Sequence, residues 1–225
     1  MYSLFAPTRA ELRRRRTRRW LRIGQVAGLL ALVGLLGATL FRAESRLVVR
    51  AARDLFAERR VLEQRGPLEA AAAESGVDIY LLAGLMISES SGRPGAVSNK
   101  GALGLFQLMP ATAQWRAERM GLPAPTPAEL LEDAELNARL GANNLAWLLR
   151  RYDEDVERAL VAYNAGPGRL KAFESAAGGW EQWRAERRAS GESEIFAYVD
   201  RVLRYADGFR RHGLFDDESG ASSDS

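Results

Sequence analysis

The sequence predicts an all-α protein in which a single membrane-spanning helix and a helical stalk precede a helical globular domain. Three observations carry that reading. Apolar residues recur at helical spacing, between capping and breaking residues, from Pro67 to about Leu214. No stretch of useful length alternates apolar and polar residues as a half-buried strand does, and no internal repeat stands out. Ile23 to Phe41 is a run of 19 residues without a charge, rich in Leu, Ala, Val and Gly.

In chain order, residues 1–22 are a basic segment with eight arginines against one glutamate. The apolar run at residues 23–41 reaches ~28 Å as a helix, about one hydrocarbon core. The arginines from Arg13 to Arg22 orient it by the positive-inside rule, with residues 1–22 cytoplasmic and the chain after Phe41 exported. A retained single-pass anchor is the expectation. A cleaved signal peptide fits less well, because the run is long and no clear A-x-A site follows; a buried core helix fits least beside so many arginines. Gly24 and Gly28 have helix-dimer spacing, a weak signal in an apolar run. Residues 42–66 mix charge with scattered Leu, Val and Phe and lack Gly or Pro until Gly66-Pro67, which reads as a helical stalk or a solvated helix face.

The globular domain is expected at residues 67–215. Leu68 to Ser75 makes a short helix ended by Gly76. Asp78 caps the next, which runs through Leu81, Leu82, Leu85 and Met86 to Glu89. Pro110 starts another. Thr126-Pro127-Ala128-Glu129 is a capping box with Pro at the first helical position. Ala134 to Arg151 and Val156 to Asn164 are helical, the second stopped by Gly166-Pro167, and a last helix covers Ile195 to Arg211. Residues 216–225 read as a disordered acidic tail.

Composition narrows the chemistry. The net charge of +3 divides into +7 over residues 1–22, −4 over the last ten, and 24 bases against 24 acids between them. The basicity is therefore terminal, and no nucleic-acid face is indicated; arginines flanking an apolar span suit a membrane better. Zero cysteines exclude disulfides, thiol nucleophiles, thiolate metal sites and a lipoprotein anchor. A lone histidine, His212, argues against a Ser-His-Asp triad or a multi-histidine metal site, and only two lysines exist. Acid–base work falls first to carboxylates.

The informative stretch runs from Glu89 to Ala113. An apolar helix ends in Glu89 and a Gly-rich turn follows, so Glu89 sits at the negative end of a helix dipole, which disfavours its charge. Shielding by Leu85, Met86 or Phe106 would raise its pKa further and make a general acid of it. The competing reading is an exposed helix-end glutamate. Gly95, Gly101 and Gly104 permit tight turns, and Gln107 offers donor and acceptor to sugar hydroxyls and acetamides. Ala162-Tyr163-Asn164-Ala165-Gly166 places a phenol and an amide at a second helix end.

These motifs resemble the soluble lytic transglycosylase (SLT) family. The matches are Glu89-Ser90, Ala96-Val97-Ser98, Gly101-Ala102, Gly104-Leu105, Gln107 to Pro110, Thr112-Ala113, Asn137 with Gly141, and Ala162 to Gly166. They span roughly Pro67 to Arg204. Departures are Phe106 for the usual Met, Ala134 for a common Pro, and the missing Thr in Glu194 to Val199. Ser175 to Gly191 also lacks the family pattern, and there Trp180 and Trp183 fit either a partner site or the core. The resemblance implies a lysozyme-like domain acting on peptidoglycan glycan strands, with Glu89 as the sole catalytic acid/base. It implies that Ser98, Gln107, Tyr163 and Asn164 bind substrate or orient Glu89. Simpler roles stay open for three of them: core tyrosine, helix-end amide, turn serine.

The implied reaction cuts the MurNAc-β-1,4-GlcNAc bond and leaves a 1,6-anhydroMurNAc end, with no metal or organic cofactor. It suits a sequence in which Asp78, ~16 Å from Glu89 along the same helix, is too distant to be a second catalytic carboxylate. Open alternatives are a hydrolytic muramidase on a similar fold and a noncatalytic peptidoglycan-binding scaffold. The location expected is the bacterial inner membrane, single-pass through residues 23–41, with the catalytic domain on the periplasmic or cell-wall side.

Overall fold

The computed structural model describes residues 54–191 and 193–216. The basic segment, the expected span, most of the expected stalk and the acidic tail beyond Asp216 lie outside the described residues. Among the described residues, no helix is long and apolar enough to cross a membrane. The compact unit begins at Leu55, ahead of the boundary read at Pro67. Residues 54–63 are helical, with Ala57 and Val61 buried in the domain core. Helix α1 (Arg65–Ser75) then starts two residues before Pro67, so Gly66-Pro67 lies inside a first turn. A proline there loses no hydrogen bond, because the first N–H groups of a helix have no intrahelical partner. Gly76 ends α1 in the left-handed conformation, as read.

Helix α2 (Ile79–Ser90) is the centre of the domain. Asp78 caps it by accepting from the Leu81 amide at 3.1 Å. Leu81 to Ile87 are buried without a break, so α2 is surrounded on all sides. Helix α3 (Pro110–Arg119) follows a long loop; α4 (Pro127–Glu132) opens on the capping box at Thr126 and Glu129; α5 (Ala134–Arg151) is capped by Asp133. Helix α6 (Val156–Ala165) is capped by Asp155 and halted at Gly166, and α7 (Pro167–Ala177) restarts at once with proline in its first turn. Helix α8 (Trp180–Ala189) and the long α9 (Glu194–Arg211), capped by Ser193, complete the domain.

Helix α9 lies along α2 at backbone contact, and Gly84 makes this possible. A Cβ at Gly84 would stand 2.5 Å from the Val202 carbonyl oxygen and 2.9 Å from the Ala206 nitrogen. Real Cβ atoms do not approach so closely. This contact carries the C-terminal helix, and with it Tyr198, to the C-terminal end of α2.

Helices α7 and α8 have no counterpart in the sequence reading, and they answer the question of the two tryptophans. Trp183 stacks on Phe173 at 5.4 Å and lies 5.6 Å from both Trp180 and Phe196. Trp180 and Trp183 are both buried. The Trp180 indole N–H donates to Asp155 at 2.8 Å, so the residue that caps α6 also ties α8 to it. The pair is core.

Alanine is the better helix former by ~1 kcal/mol, so an exposed Gly84 would gain from replacement. Here the added carbon would meet backbone, which cannot swing aside as a side chain can. Gly84→Ala is expected to lower stability by about 1–3 kcal/mol, read as a lower urea midpoint at unchanged slope. A midpoint equal to or above that of the parent would contradict the α2–α9 contact.

Candidate active site

Glu89 stands in the last turn of α2, followed by Ser91 and Gly92 in left-handed conformations. Its carboxyl group is partly buried against two tyrosines. Tyr198 of α9 donates its hydroxyl to Glu89 Oε1 at 2.5 Å. Tyr163 of α6 is close enough for the Glu89 charge to act on its phenol, and donates its own hydroxyl to the Phe106 carbonyl oxygen at 2.9 Å. Three helix segments distant in sequence thus converge on one carboxyl group.

The electrostatics of this arrangement are a contest that burial wins. Desolvation raises the Glu89 pKa; the Tyr198 hydrogen bond and the nearby Arg201 guanidinium favour the charged form and lower it. The result is a value of about 7. Among the described residues, no second carboxylate is among the groups that shift Glu89. Burial, and after it the Glu89 charge, raise the Tyr163 and Tyr198 phenols well above their usual range, so both remain protonated donors at neutral pH. With Oε1 accepting from Tyr198, a proton on Glu89 belongs on Oε2.

The loop from Ser91 to Met109 meets the site where its Phe106 carbonyl accepts from Tyr163. Two isolated antiparallel bridges, Val97 with Leu103 and Leu103 with Leu108, fold it into a compact hairpin-like turn. Ser98 organises its tip: the hydroxyl oxygen accepts from the Ala102 amide at 2.9 Å and the Lys100 amide at 3.3 Å. Gln107 adopts a left-handed backbone with φ of 46°, uncommon for a residue with a side chain. Its Nε2 donates to the carbonyls of Gly104 at 2.9 Å and Ala96 at 3.1 Å, leaving Oε1 as its acceptor. Asn164 is exposed at the end of α6.

Helix α5 holds this loop in place through Asn137, which is fully satisfied and 1% exposed. Its Oδ1 accepts from the Phe106 amide at 2.9 Å, and its Nδ2 donates to the carbonyls of Leu103 at 3.1 Å and Leu130 at 2.9 Å. Two glycines admit the approach. A Cβ on Gly104 would fall 2.1 Å from the Asn137 amide nitrogen, and one on Gly141 would fall 2.4 Å from the Phe106 ring.

The structure therefore brings Glu89 and Tyr163 together, places Ser98 and Gln107 in the loop whose Phe106 carbonyl meets Tyr163, and leaves Asn164 exposed at the end of α6. Tyr198 is the residue the sequence reading did not place in the site. Glu194 to Val199 was noted only for its missing Thr, and nothing local to Tyr198 shows that α9 runs back along α2. Asp78, too distant to be a second catalytic carboxylate, and Asp155 are both engaged elsewhere. Asp78 pairs with Arg210 at the opposite end of α2, and Asp155 is held by the α6 cap and Trp180.

The Tyr198→Phe protein keeps the ring and loses the hydrogen bond to charged Glu89. The Glu89 pKa is expected to move upward from about 7, followed by carboxyl-carbon NMR titration. An unchanged or lower value would remove Tyr198 as the residue that positions and tunes this carboxyl.

The chain is similar to several known proteins. Residues 66–185 match the model of the transglycosylase SLT domain family. The soluble lytic murein transglycosylase of Escherichia coli strain K12 is 33% identical over 129 residues, 57% of this chain and 20% of that protein. The endo-type membrane-bound lytic murein transglycosylase A of Klebsiella pneumoniae is 38% identical over 81 residues, 36% of this chain and 40% of that protein. Among solved structures, an inactive glutamate-to-glutamine mutant of lytic transglycosylase Slt from Pseudomonas aeruginosa superposes with a TM-score of 0.57 at 28% identity. The superposition covers 67% of this chain and 24% of that one. The chain thus spans a fifth of the length of the Escherichia coli relative.

Proposed function

We propose a reaction from one premise: this chain belongs to the transglycosylase SLT domain family. The reaction is lytic cleavage of peptidoglycan at the MurNAc-β-1,4-GlcNAc bond, with Glu89 as the single acid/base. The observation that carries it is a lone carboxyl, pushed up to about 7 by burial, held by one tyrosine and faced by another. A glutamic acid so tuned is protonated over much of the neutral range and able to give its proton to a leaving oxygen. The role given to Glu89 is supported further by a solved relative described as an inactive glutamate-to-glutamine mutant.

Glu89 Oε2 gives its proton to the glycosidic oxygen as the bond to MurNAc C1 breaks. The substrate's own acetamide oxygen stabilises the positive charge developing at C1. The carboxylate just formed, still held at Oε1 by Tyr198, then takes the proton from the C6 hydroxyl as that oxygen bonds to C1. One bond is broken and one made, the proton returns to Glu89, and no water is consumed. A second carboxylate, which glycosidases use to activate water or to attack C1, has no task in this sequence of steps. The groups left to meet glycan hydroxyls and acetamides are the Ser98 hydroxyl hydrogen, Gln107 Oε1 and the exposed Asn164 amide. Tyr163 adds the wall behind Glu89.

The location proposed is the inner membrane, with the domain on its outer side. This rests on the uncharged run at residues 23–41 and the arginines ahead of it, and it accords with a relative whose name describes it as membrane-bound.

The test is product analysis. The full chain, purified in detergent, is expected to release peptidoglycan fragments ending in 1,6-anhydroMurNAc, lighter by one water than hydrolysis products in the mass spectrum. Glu89→Gln is expected to slow release by about 10²–10⁴-fold. Reducing ends in the wild-type digest would make the protein a muramidase, and undiminished activity of Glu89→Gln would end the single-acid mechanism. Because the acid must start protonated, kcat/KM is expected to decline tenfold per pH unit above about 7. A rate still climbing at pH 8.5 would contradict that protonation state.

A further inference from the structure

Four arginines gather around two indoles where α3 meets the end of α5. Trp115 and Trp147 are half-buried and meet edge to face, with ring centroids 4.9 Å apart. The Arg116 guanidinium lies 3.5 Å from the Trp115 centroid and 4.5 Å from that of Trp147. Arg119 covers Trp115 at 5.2 Å and Arg151 covers Trp147 at 5.4 Å, with Arg150 beside them. Arg119, Arg150 and Arg151 are exposed, whereas Arg116 is 3% exposed.

Arg116 is an uncompensated charge. Its Nε and Nη2 have no hydrogen-bond partner, and Nη1 has only a 3.5 Å contact with Asn143 Oδ1. Among the described residues, no carboxylate stands within ion-pair distance of any of the four arginines. Burial first, then the charges of Arg119 and Arg150, push the Arg116 guanidinium down to about 10. The indole faces offset part of that cost. For stability alone, an apolar side chain of similar volume would serve better at this position. The arrangement is an edge-to-face indole pair with a buried guanidinium against it, ringed by exposed guanidinium arms and, among the described residues, without a negative partner. Guanidinium groups pair best with planar carboxylates, through two parallel hydrogen bonds.

Its place relative to the cleft favours one source of carboxylates. Arg116 is six residues beyond Pro110, where α3 leaves the loop that carries Gln107. Trp147 is six residues beyond Gly141, where α5 packs on Phe106 of that loop. Each separation is a rise of about 9 Å along its helix. A peptidoglycan strand bears a peptide stem on every second sugar, so a strand seated in the cleft presents stem carboxylates a short distance from the reacting bond. Resting on the function proposed above, we infer that the Trp115–Trp147 face, with Arg119, Arg150 and Arg151, receives the free carboxylates of a stem peptide on the bound strand. Arg116 supplies the fixed charge beneath that face.

The experiment compares two substrates and two proteins. Soluble peptidoglycan fragments are prepared with native stems and with the stem carboxyls converted to amides. The full chain and its Arg119→Gln/Arg150→Gln variant are assayed on both. The wild type is expected to favour the native fragments by about fivefold, the worth of two exposed ion pairs, through KM rather than kcat. The variant is expected to lose that preference and to match the wild type on amidated fragments. A preference absent from the wild type, or retained by the variant, overturns the inference; retention would assign the patch to another anion, a lipid headgroup included. Failure of the wild type to cleave either substrate is a different result, because it brings down the functional reading and this inference with it.

Discussion

The site depends on one buried amide. Asn137 sends three hydrogen bonds into chain segments outside α5: its Oδ1 takes the Phe106 amide, and its Nδ2 serves Leu103 and Leu130. Buried amides that satisfy their partners this completely are specifying elements, since any shift of the loop would leave several polar groups unpaired. Gly104 and Gly141 are the geometric consequence. Side chains at either position would occupy the space that the amide and the Phe106 ring need. From that anchored loop the order propagates outward: the Phe106 carbonyl takes the Tyr163 hydroxyl, and the Gln107 side chain folds back on the Gly104 and Ala96 carbonyls.

Glu89 is the other half of the design, and its electrostatics are set by competition. A helix C-terminus and a tightly packed surrounding disfavour its charge; a phenol at 2.5 Å and Arg201 favour it. Burial prevails, and the balance lands near neutrality. Either influence alone would serve an acid/base poorly. An exposed carboxyl would be ionised at neutral pH, and an unassisted buried one would hold its proton too firmly to cycle. Tyr198 also gives direction, because it occupies one carboxyl oxygen and leaves the other for chemistry.

The two features meet through helix packing. Helix α9 can bring Tyr198 to the end of α2 because Gly84 lets the backbones touch, and α6 can bring Tyr163 because the loop it contacts is already fixed by α5. Charge is handled differently at the far ends of α3 and α5. There Arg116 is buried between indoles, and among the described residues no acid stands within ion-pair distance of it. Arg158 with Glu174 and Arg139 with Glu74 show the ordinary solution in the same molecule.

Much of this was legible in the chain itself. Asp78, the Thr126–Glu129 box and the Gly76 and Gly166 stops are local signals, because capping and termination need only neighbouring residues, and the structure shows each of them in place. The Glu89 helix end, the Gly-rich turn and the Tyr163-Asn164 pair were visible for the same reason, as short contiguous motifs. Helices α7 and α8 were not read, since their stability comes from the Phe173, Trp180, Trp183 and Phe196 cluster, which joins three helices. Residues 54–63 read as part of a stalk because burial of Ala57 and Val61 is a property of packing, not of composition. The sequence by itself determined most of the helices, several of their ends and the carboxyl proposed for acid chemistry. Only the tertiary structure decided that Tyr198 would hold that carboxyl, that Asn137 would hold the loop and that Arg116 would stand buried without an acid. Those contacts join residues up to 109 positions apart, and no local periodicity encodes a hydrogen bond of that span.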